Sequence, residues 1–173
     1  LADGTTALTL TTAQQTAIED AFSISAAAGN SNDGTINWDY TVSESDLNFL
    51  AADEVVTAVF TITVNDGNGG TASEDVTVTI TGSNDVPTLT ATAVTGAITE
   101  GSTLSDSGSI AFADLDLTDT PTATEATSSV SALLADGSTT LTLTASQQAA
   151  IEAGFSISAD AGNSNDGTIN WTY

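Results

Sequence analysis

The chain of 173 residues contains no lysine, arginine, histidine, cysteine or methionine. Without these side chains it has no imidazole base, no thiolate nucleophile, no Schiff-base amine and no imidazole or thiolate ligand for zinc. Nucleic acid and anionic membrane surfaces are excluded as partners, because binding to phosphate depends on lysine and arginine. Carboxylate chemistry such as glycoside hydrolysis remains, but the sequence shows no aromatic platform for a sugar. We therefore predict that the chain is not an enzyme.

Long apolar runs are also missing. No run approaches the roughly 18 residues that a membrane helix needs, so we predict no membrane insertion. No signal peptide is recognisable, and any export signal would have to lie elsewhere. No disulfide can stabilise the fold, because there is no cysteine. An acidic composition free of cysteine fits a bacterial protein that is secreted without disulfides.

The most informative feature that is present is an internal repeat. Residues 1–40 return as residues 134–173, with 31 of 40 positions identical at an offset of 133 residues. A period of this length is the size of a whole domain, so the sequence predicts a tandem array. Turn-forming residues at 82–87 mark the boundary. We therefore assign residues 1–85 to the C-terminal part of one repeat and residues 86–173 to the N-terminal part of the next.

With the boundary at residues 82–87, neither copy of the repeat is complete, and two arrangements of the chain are possible. The chain is either a window cut from a longer filament or a permuted domain in which residues 41–85 and 86–173 close on each other. The linker at 82–87 looks too short and stiff to reverse the chain, which favours the window.

Alternating apolar and polar residues predict strands. Residues 56–64 and 72–80 alternate on either side of an Asp-Gly-Asn-Gly-Gly turn and predict a β-hairpin. Residues 35–42 place Trp38 and other apolar side chains on one face, so Trp38 is expected in the core. Residues 88–94 and 108–113 predict further strands. Many short strands separated by turns indicate an all-β fold of antiparallel β-sandwich repeats.

One segment of the repeat is predicted to be helical. Residues 12–21 carry a Thr-x-x-Gln capping box, assigned to Thr12 and Gln15, followed by apolar Ala17, Ile18 and Ala21. We therefore expect one short helix in each repeat.

Two segments carry a family resemblance. The run FTITVNDGNGGTA at 60–72, continued by VTVTITGSNDVP at 76–87, resembles the end of a VCBS-type repeat, and residues 101–120 are similar to the Asp-rich opening of the next copy. Such repeats stack in giant, RTX-type bacterial surface adhesins. The resemblance implies a secreted protein at the bacterial cell surface, with a part in cell adhesion and biofilm formation.

The same layout resembles bacterial cadherin-like domains with an immunoglobulin fold, which gather calcium at domain junctions. The resemblance implies calcium as the bound ion and neighbouring repeats of the same chain as partners. The positions that match the calcium-binding motifs are Asn84, Asp85, Asp114, Asp116, Asp66 and Glu100. The match departs from the pattern at Gly82 and Ser83, where an acidic residue is expected, and in the lack of an acidic-Arg-Glu loop.

The chemistry of these residues allows calcium, which takes six to eight oxygen ligands. Asp114 and Asp116 are alternate residues of an extended segment, so their carboxylates can face one ion. Asp66 precedes a glycine and is also explained as a turn residue, and Glu100 as a solvated side chain. No segment fits an EF-hand loop, so any site must be assembled from separated loops.

Two functions follow as expectations. The first is a structural extender that projects distal binding domains or builds an extracellular fibre, with possible self-association. A net charge of −23 favours expansion until cations screen it or bind. The alternative is a module that itself binds a polysaccharide or a protein. That alternative requires exposed aromatic residues, yet Trp38, Tyr40 and Phe60 all fall on the apolar phase of their strands.

Overall fold

A computed structural model describes residues 6–91 and 93–173 of the chain. It divides into two compact units. The first unit comprises Leu1–Asp85 with Leu115–Thr118, and the second comprises Val86–Asp114 with Asp119–Tyr173. The chain is mostly β, with antiparallel sheets and two short helices among the described residues. Each sheet draws its strands from one side of residue 86. That the units are parts of two successive repeats stays a prediction.

The first unit contains two separate two-stranded sheets and one α-helix. Its elements are α1 (Thr12–Asp20), β1 (Phe22–Ala26), β2 (Ile36–Tyr40), a 3₁₀ turn (Glu44–Asp46), β3 (Val55–Asn65) and β4 (Thr71–Thr81). Strand β1 pairs with β2, and β3 pairs with β4, both antiparallel. Strand β1 was not predicted from the sequence, although its residues Phe-Ser-Ile-Ser-Ala alternate between apolar and polar side chains.

The predicted hairpin is confirmed. Strands β3 and β4 are each 11 residues long and pair continuously from Val55 opposite Thr81 to Asn65 opposite Thr71. The apolar side chains that alternate along both strands fall on one face, so a shift of register by one residue would expose them all. The turn is closed by a backbone hydrogen bond of 3.0 Å from the Asp66 N–H to the Gly70 carbonyl.

The hairpin and the helix share a small core in the first unit. Ile18 of α1 packs with Leu50 and Ile80, and all three are buried. Beside this cluster Phe60 of β3 stacks on Phe22 of β1, with ring centroids 4.1 Å apart and an angle of 6° between the planes. These contacts cover the end of the β1–β2 sheet that carries Phe22 and Tyr40, whereas Ile24 and Trp38 on the same face stay exposed.

The second unit is built around a sheet of four antiparallel strands. Its elements are β5 (Thr88–Ala91), β6 (Ser107–Ala113), α2 (Ala145–Glu152), β7 (Ser156–Ala159) and β8 (Asp166–Thr172). The strand order is β5-β6-β8-β7. The segments α2, β7 and β8 correspond to α1, β1 and β2 at the offset of 133 residues. The helix expected in each repeat is therefore present in both copies.

The expectation that Trp38 lies in the core is wrong. Trp38 is 53% exposed, whereas Trp171, its equivalent in the second copy, is 7% exposed. The difference comes from β6, which pairs along β8 and brings Gly108 against the indole ring, and from the segment before β6, whose Ala93 carbonyl accepts a hydrogen bond of 2.7 Å from the indole N–H. A Cβ atom at Gly108 would lie 2.6 Å from the indole Nε1 of Trp171, so only glycine allows this approach. Among the described strands, β2 pairs with β1 alone.

The capping box of α1 lies one residue earlier than Thr12 and Gln15. The cap is Thr11, whose hydroxyl accepts a hydrogen bond from the Gln14 N–H. The doublets Thr-Thr and Gln-Gln fit the pattern in either frame. The earlier frame adds one intrahelical hydrogen bond, from the Gln15 N–H to the Thr11 carbonyl, and leaves the Gln15 side chain free to donate to Glu19.

The second copy also uses the earlier frame. Its capping box consists of Thr144 and Gln147, and Ala145 stands where the first copy has Thr12. Alanine at that position cannot cap, so the second copy fits the pattern in only one frame.

Replacing each threonine in turn tests this frame. We expect Thr11→Ala to lower the free energy of unfolding of the first unit by about 1 kcal/mol, because one helix N–H loses its acceptor. Thr12→Ala should change it by less than about 0.5 kcal/mol, since alanine is the better helix former. Urea unfolding of the two variants measures both values. Equal losses would contradict the assignment of Thr11 as the cap.

Candidate metal centre

Three carboxylates come together in the loop that follows β6. One oxygen from each of Asp114, Asp116 and Asp119 lies within 4.8 Å of the others. Asp114 is 6% exposed and Asp116 is fully buried, while Asp119 is partly buried. The structure thus brings together two of the predicted ligands, Asp114 and Asp116, and adds Asp119. We refer to these three residues as the Asp cluster.

The first residue of the Asp cluster is held by the segment that leads into β8. The Asp114 N–H donates to the Asn165 carbonyl at 2.8 Å, and the Asn165 side-chain amide donates to the Asp114 carbonyl at 2.9 Å. Both hydrogen bonds involve backbone atoms of Asp114. They fix the position of the residue without using its carboxylate oxygens.

The central residue of the cluster is held through its side chain. One carboxylate oxygen of Asp116, Oδ2, accepts a hydrogen bond of 2.8 Å from the Asp85 N–H. The following residue, Leu117, donates its N–H to the Phe49 carbonyl at 3.2 Å. The linker that carries Asp85 therefore helps to orient Asp116.

A further buried carboxylate, Glu54, contacts the same loop. One of its oxygens accepts a hydrogen bond of 2.7 Å from the Thr118 hydroxyl, and the other accepts one of 3.1 Å from the Ala51 N–H. Glu54 is among the most deeply buried side chains of the first unit. It was not a predicted site residue, because the sequence offers no motif around it.

The backbone around Gly82 leaves no space for a side chain at this position. The Gly82 N–H donates to the Glu54 carbonyl at 2.8 Å. A Cβ atom at Gly82 would lie 2.4 Å from the Ala51 carbonyl oxygen and 2.5 Å from that of Leu50. The close approach of these backbones leaves no room for an acidic side chain at this position.

Of the linker residues Asn84 and Asp85, Asp85 reaches the cluster, and it does so through its backbone. The Asp85 N–H contacts Asp116, but the Asp85 carboxylate is not one of the three grouped oxygens. The exposed Asn84 side chain donates instead to the Asp85 carbonyl. Their assignment as direct ligands stays a prediction.

Asp66 caps the turn of the β3–β4 hairpin. Its Oδ1 atom accepts hydrogen bonds from the N–H groups of Asn68 at 2.8 Å and Gly70 at 2.9 Å. These two hydrogen bonds, first that from Asn68, lower the pKa of Asp66 below its usual value, because they favour the charged form. This geometry accounts for Asp66 as a turn residue, and it is not part of the Asp cluster.

Glu100 is an exposed residue of a tight turn in the second unit. The turn is closed by a hydrogen bond of 3.1 Å from the Ser102 N–H to the Thr99 carbonyl, with Gly101 at a positive φ of 80°. Glu100 is not part of the Asp cluster.

The sequence carried a signal for Asp119 that the prediction did not use. The run Asp-Leu-Asp-Leu-Thr-Asp at 114–119 contains three acidic residues, and only the first two were assigned. A two-residue alternation links Asp114 to Asp116, whereas Asp119 comes three residues later. The turn that follows β6 brings the Asp119 carboxylate back to those of Asp114 and Asp116.

The Asp cluster offers three carboxylates to a cation. Their negative charges repel one another, and Asp114 and Asp116 are largely removed from water. Elsewhere a buried carboxylate is balanced by lysine or arginine, but this chain contains neither. A hard divalent cation with oxygen ligands would provide a balancing charge, and carboxylates and backbone carbonyls are the donors that calcium prefers. The residues present therefore fit calcium.

No family model, no curated protein and no solved structure matches the chain. Among residues 6–91 and 93–173, no helix is both long and apolar enough to cross a membrane.

A variant at Asp66 separates its role in the turn from a role in binding metal. We expect Asp66→Ala to lower the urea midpoint at neutral pH by the same amount in calcium and in EDTA, because two backbone N–H groups lose their acceptor. A lowered pKa means that the stabilisation is present above the ordinary pKa of aspartate, about 3.9, and is lost as the pH falls through the folded value. The difference from the parent should therefore shrink in acid. A loss confined to calcium-containing buffer would assign Asp66 to a metal site.

Proposed function

We propose that this chain is part of a structural extender, a tandem array of β-sandwich repeats at a bacterial cell surface whose stiffness depends on bound calcium. Such an array projects distal binding domains away from the cell, or builds a fibre by self-association, and so serves cell adhesion and biofilm formation. The repeats are of the VCBS or cadherin-like type, with an immunoglobulin-like arrangement of strands. The chain is not an enzyme in this proposal.

The observation that carries the proposal is the Asp cluster in a chain without cationic side chains. Asp114 and Asp116 are buried beside each other and beside Asp119, and no lysine, arginine or histidine is available to neutralise them. Fully buried carboxylates are rare unless they are paired or bind a metal. A bound divalent cation accounts for their burial.

The residues of the loop would act on the ion in different ways. Asp114 and Asp116 would supply carboxylate oxygens from positions that their hydrogen bonds to Asn165 and Asp85 define. Asp119 would supply a third carboxylate and hold the end of the turn. When bound, calcium would neutralise these charges and cross-link the loop. The loop would be ordered when calcium is bound. Without calcium, repulsion between the three carboxylates would open it.

An extender needs length, repetition and resistance to disorder. The eleven-residue strands of the hairpin span about 36 Å each, at roughly 3.3 Å per residue. A domain-sized repeat multiplies this length by its copy number, which suits a spacer. The net charge of −23 makes an array of such repeats strongly dependent on cations.

One observation favours the alternative, a module that itself binds a polysaccharide or a protein. The indole of Trp38 is exposed, although the pattern of β2 predicted it to be buried. Its equivalent Trp171 is covered by β6, which indicates that Trp38 lies on a face built for intramolecular packing. We therefore rank the extender first. Binding of the chain to a glycan array at fixed calcium, lost on Trp38→Ala, would reverse this order.

Calcium should raise the melting temperature of the chain. At a calcium concentration ten times the dissociation constant, one site adds about 1.4 kcal/mol to the free energy of unfolding. Extracellular sites often bind in the range of about 0.1–1 mM, so the titration must reach about 10 mM. Calorimetry in calcium and in EDTA measures the shift, and the double variant Asp114→Asn with Asp116→Asn should lose it.

A matched variant controls for the change in net charge. Asp20 and Asp33 are exposed, and replacing both by asparagine removes the same number of charges as the double variant while leaving the Asp cluster intact. This control should keep the calcium-dependent shift. A melting temperature of the parent chain that does not change in 10 mM calcium would refute the metal site.

A further inference from the structure

The apolar face of the four-stranded sheet in the second unit is only partly covered. On it lies a groove of about 400 Å³, whose lining includes Ile110, Phe155, Trp171 and Tyr173 and, from the segment before β6, Val94 and Ile98. Phe155 is 37% exposed, and Ile151 of the adjacent helix α2 is 39% exposed. Large apolar side chains grouped in this way mark a surface that packs against something.

The first copy of the repeat shows what covers the same residues. The equivalents of Ile151, Phe155 and Tyr173 are Ile18, Phe22 and Tyr40. Ile18 is only 3% exposed, because it packs against Leu50 and Ile80. Phe22 and Tyr40 contact the ring of Phe60, whose centroid lies 4.1 Å and 6.1 Å from theirs. The covering residues come from the β3–β4 hairpin and from the connector that precedes it.

The two copies have the same local structure. They differ in whether a hairpin packs on the face formed by the helix and the adjoining strand. Each helix is capped by the same Thr-x-x-Gln box. In each copy the tyrosine hydroxyl donates to the carbonyl of the helical isoleucine, at 3.1 Å from Tyr40 to Ile18 and 2.9 Å from Tyr173 to Ile151. The surface that accepts the hairpin in the first copy is therefore already assembled in the second.

We infer that the groove of the second unit is a docking surface for a β-hairpin of the β3–β4 type, supplied by the continuation of the repeat after Tyr173. The hairpin would place the equivalent of Phe60 between Phe155 and Tyr173. The equivalents of Leu50 and Ile80 would cover Ile151. The connector follows directly from Tyr40 in the first copy, so a hairpin joined in the same way after Tyr173 has the correct length and polarity to reach the groove.

The inference predicts the behaviour of an extended chain that carries a second copy of residues 41–85 directly after Tyr173. Amide hydrogen exchange of α2 and β7 should slow by about tenfold or more relative to the 173-residue chain, because the added hairpin covers this face. The melting temperature of the second unit should rise by about 5 °C or more. Binding of the dye ANS to the open apolar face should fall.

Two substitutions within the added copy alone provide the matched comparison. Phe60→Ser there should abolish most of the added protection, because it removes the ring that enters the groove. Val59→Ser there should retain it, because Val59 is on the opposite, exposed side of β3. Both variants leave the first unit and the Asp cluster unchanged, so a failure here is distinguishable from a failure of calcium binding.

Three outcomes would overturn the inference. The first is an extension that leaves the exchange of α2 and β7 unchanged. The second is an equal effect of the two serine substitutions, which would indicate nonspecific contact. The third is protection of the groove in the 173-residue chain that increases with protein concentration, which would identify a second copy of the chain as the occupant.

Discussion

The fold depends on covering one apolar face of each small sheet. Strands β1 and β2 form a sheet of only two strands, which is not stable in water without a packing partner. In the first unit the partner is the β3–β4 hairpin, which stacks Phe60 on Phe22 and buries Ile18 beneath Ile80. The helix, the sheet and the hairpin meet at these contacts. In the second unit β5 and β6 widen the equivalent sheet to four strands, and a groove beside Phe155 and Tyr173 remains on its apolar face.

The second constraint is electrostatic, since the chain has no cationic side chain. It stabilises several carboxylates with hydrogen bonds where other proteins use ion pairs. In the turn at 134–139, the hydroxyl and N–H of Thr139, with the Ser138 N–H, lower the pKa of Asp136 to about 2. Hydrogen bonds from the N–H groups of Ala97 and Ser107 likewise lower the pKa of Asp106. These are exposed carboxylates in turns, and the buried Asp cluster is different because its members lie against one another.

Several features were predictable from the sequence because they depend on residues close together in the chain. Alternation over nine residues in each strand and a turn rich in glycine were enough to locate the hairpin. The Thr-x-x-Gln pattern located the first helix to within a residue, and the internal repeat implied the second. The repeated doublets misplaced the first cap from Thr11 to Thr12. Local hydrogen bonds also explain Asp66, whose partners lie within four residues. In each case the energetics are set within one turn or one strand pair.

Other features were decided by the tertiary structure, because they depend on contacts with residues that are distant in the sequence. Trp38 and Trp171 sit in nearly identical sequences, yet only Trp171 has β6 beside it to complete its burial. Asp66 and Asp116 both belong to short acidic motifs, and only the backbone of Asp85 and the return of Asp119 make Asp116 part of a buried cluster. The sequence by itself determined the hairpin, most of the other strands, the helices and the supply of carboxylates. Burial is a property of contacts between distant segments, so the tertiary structure decided which aromatic face is covered and which carboxylates meet.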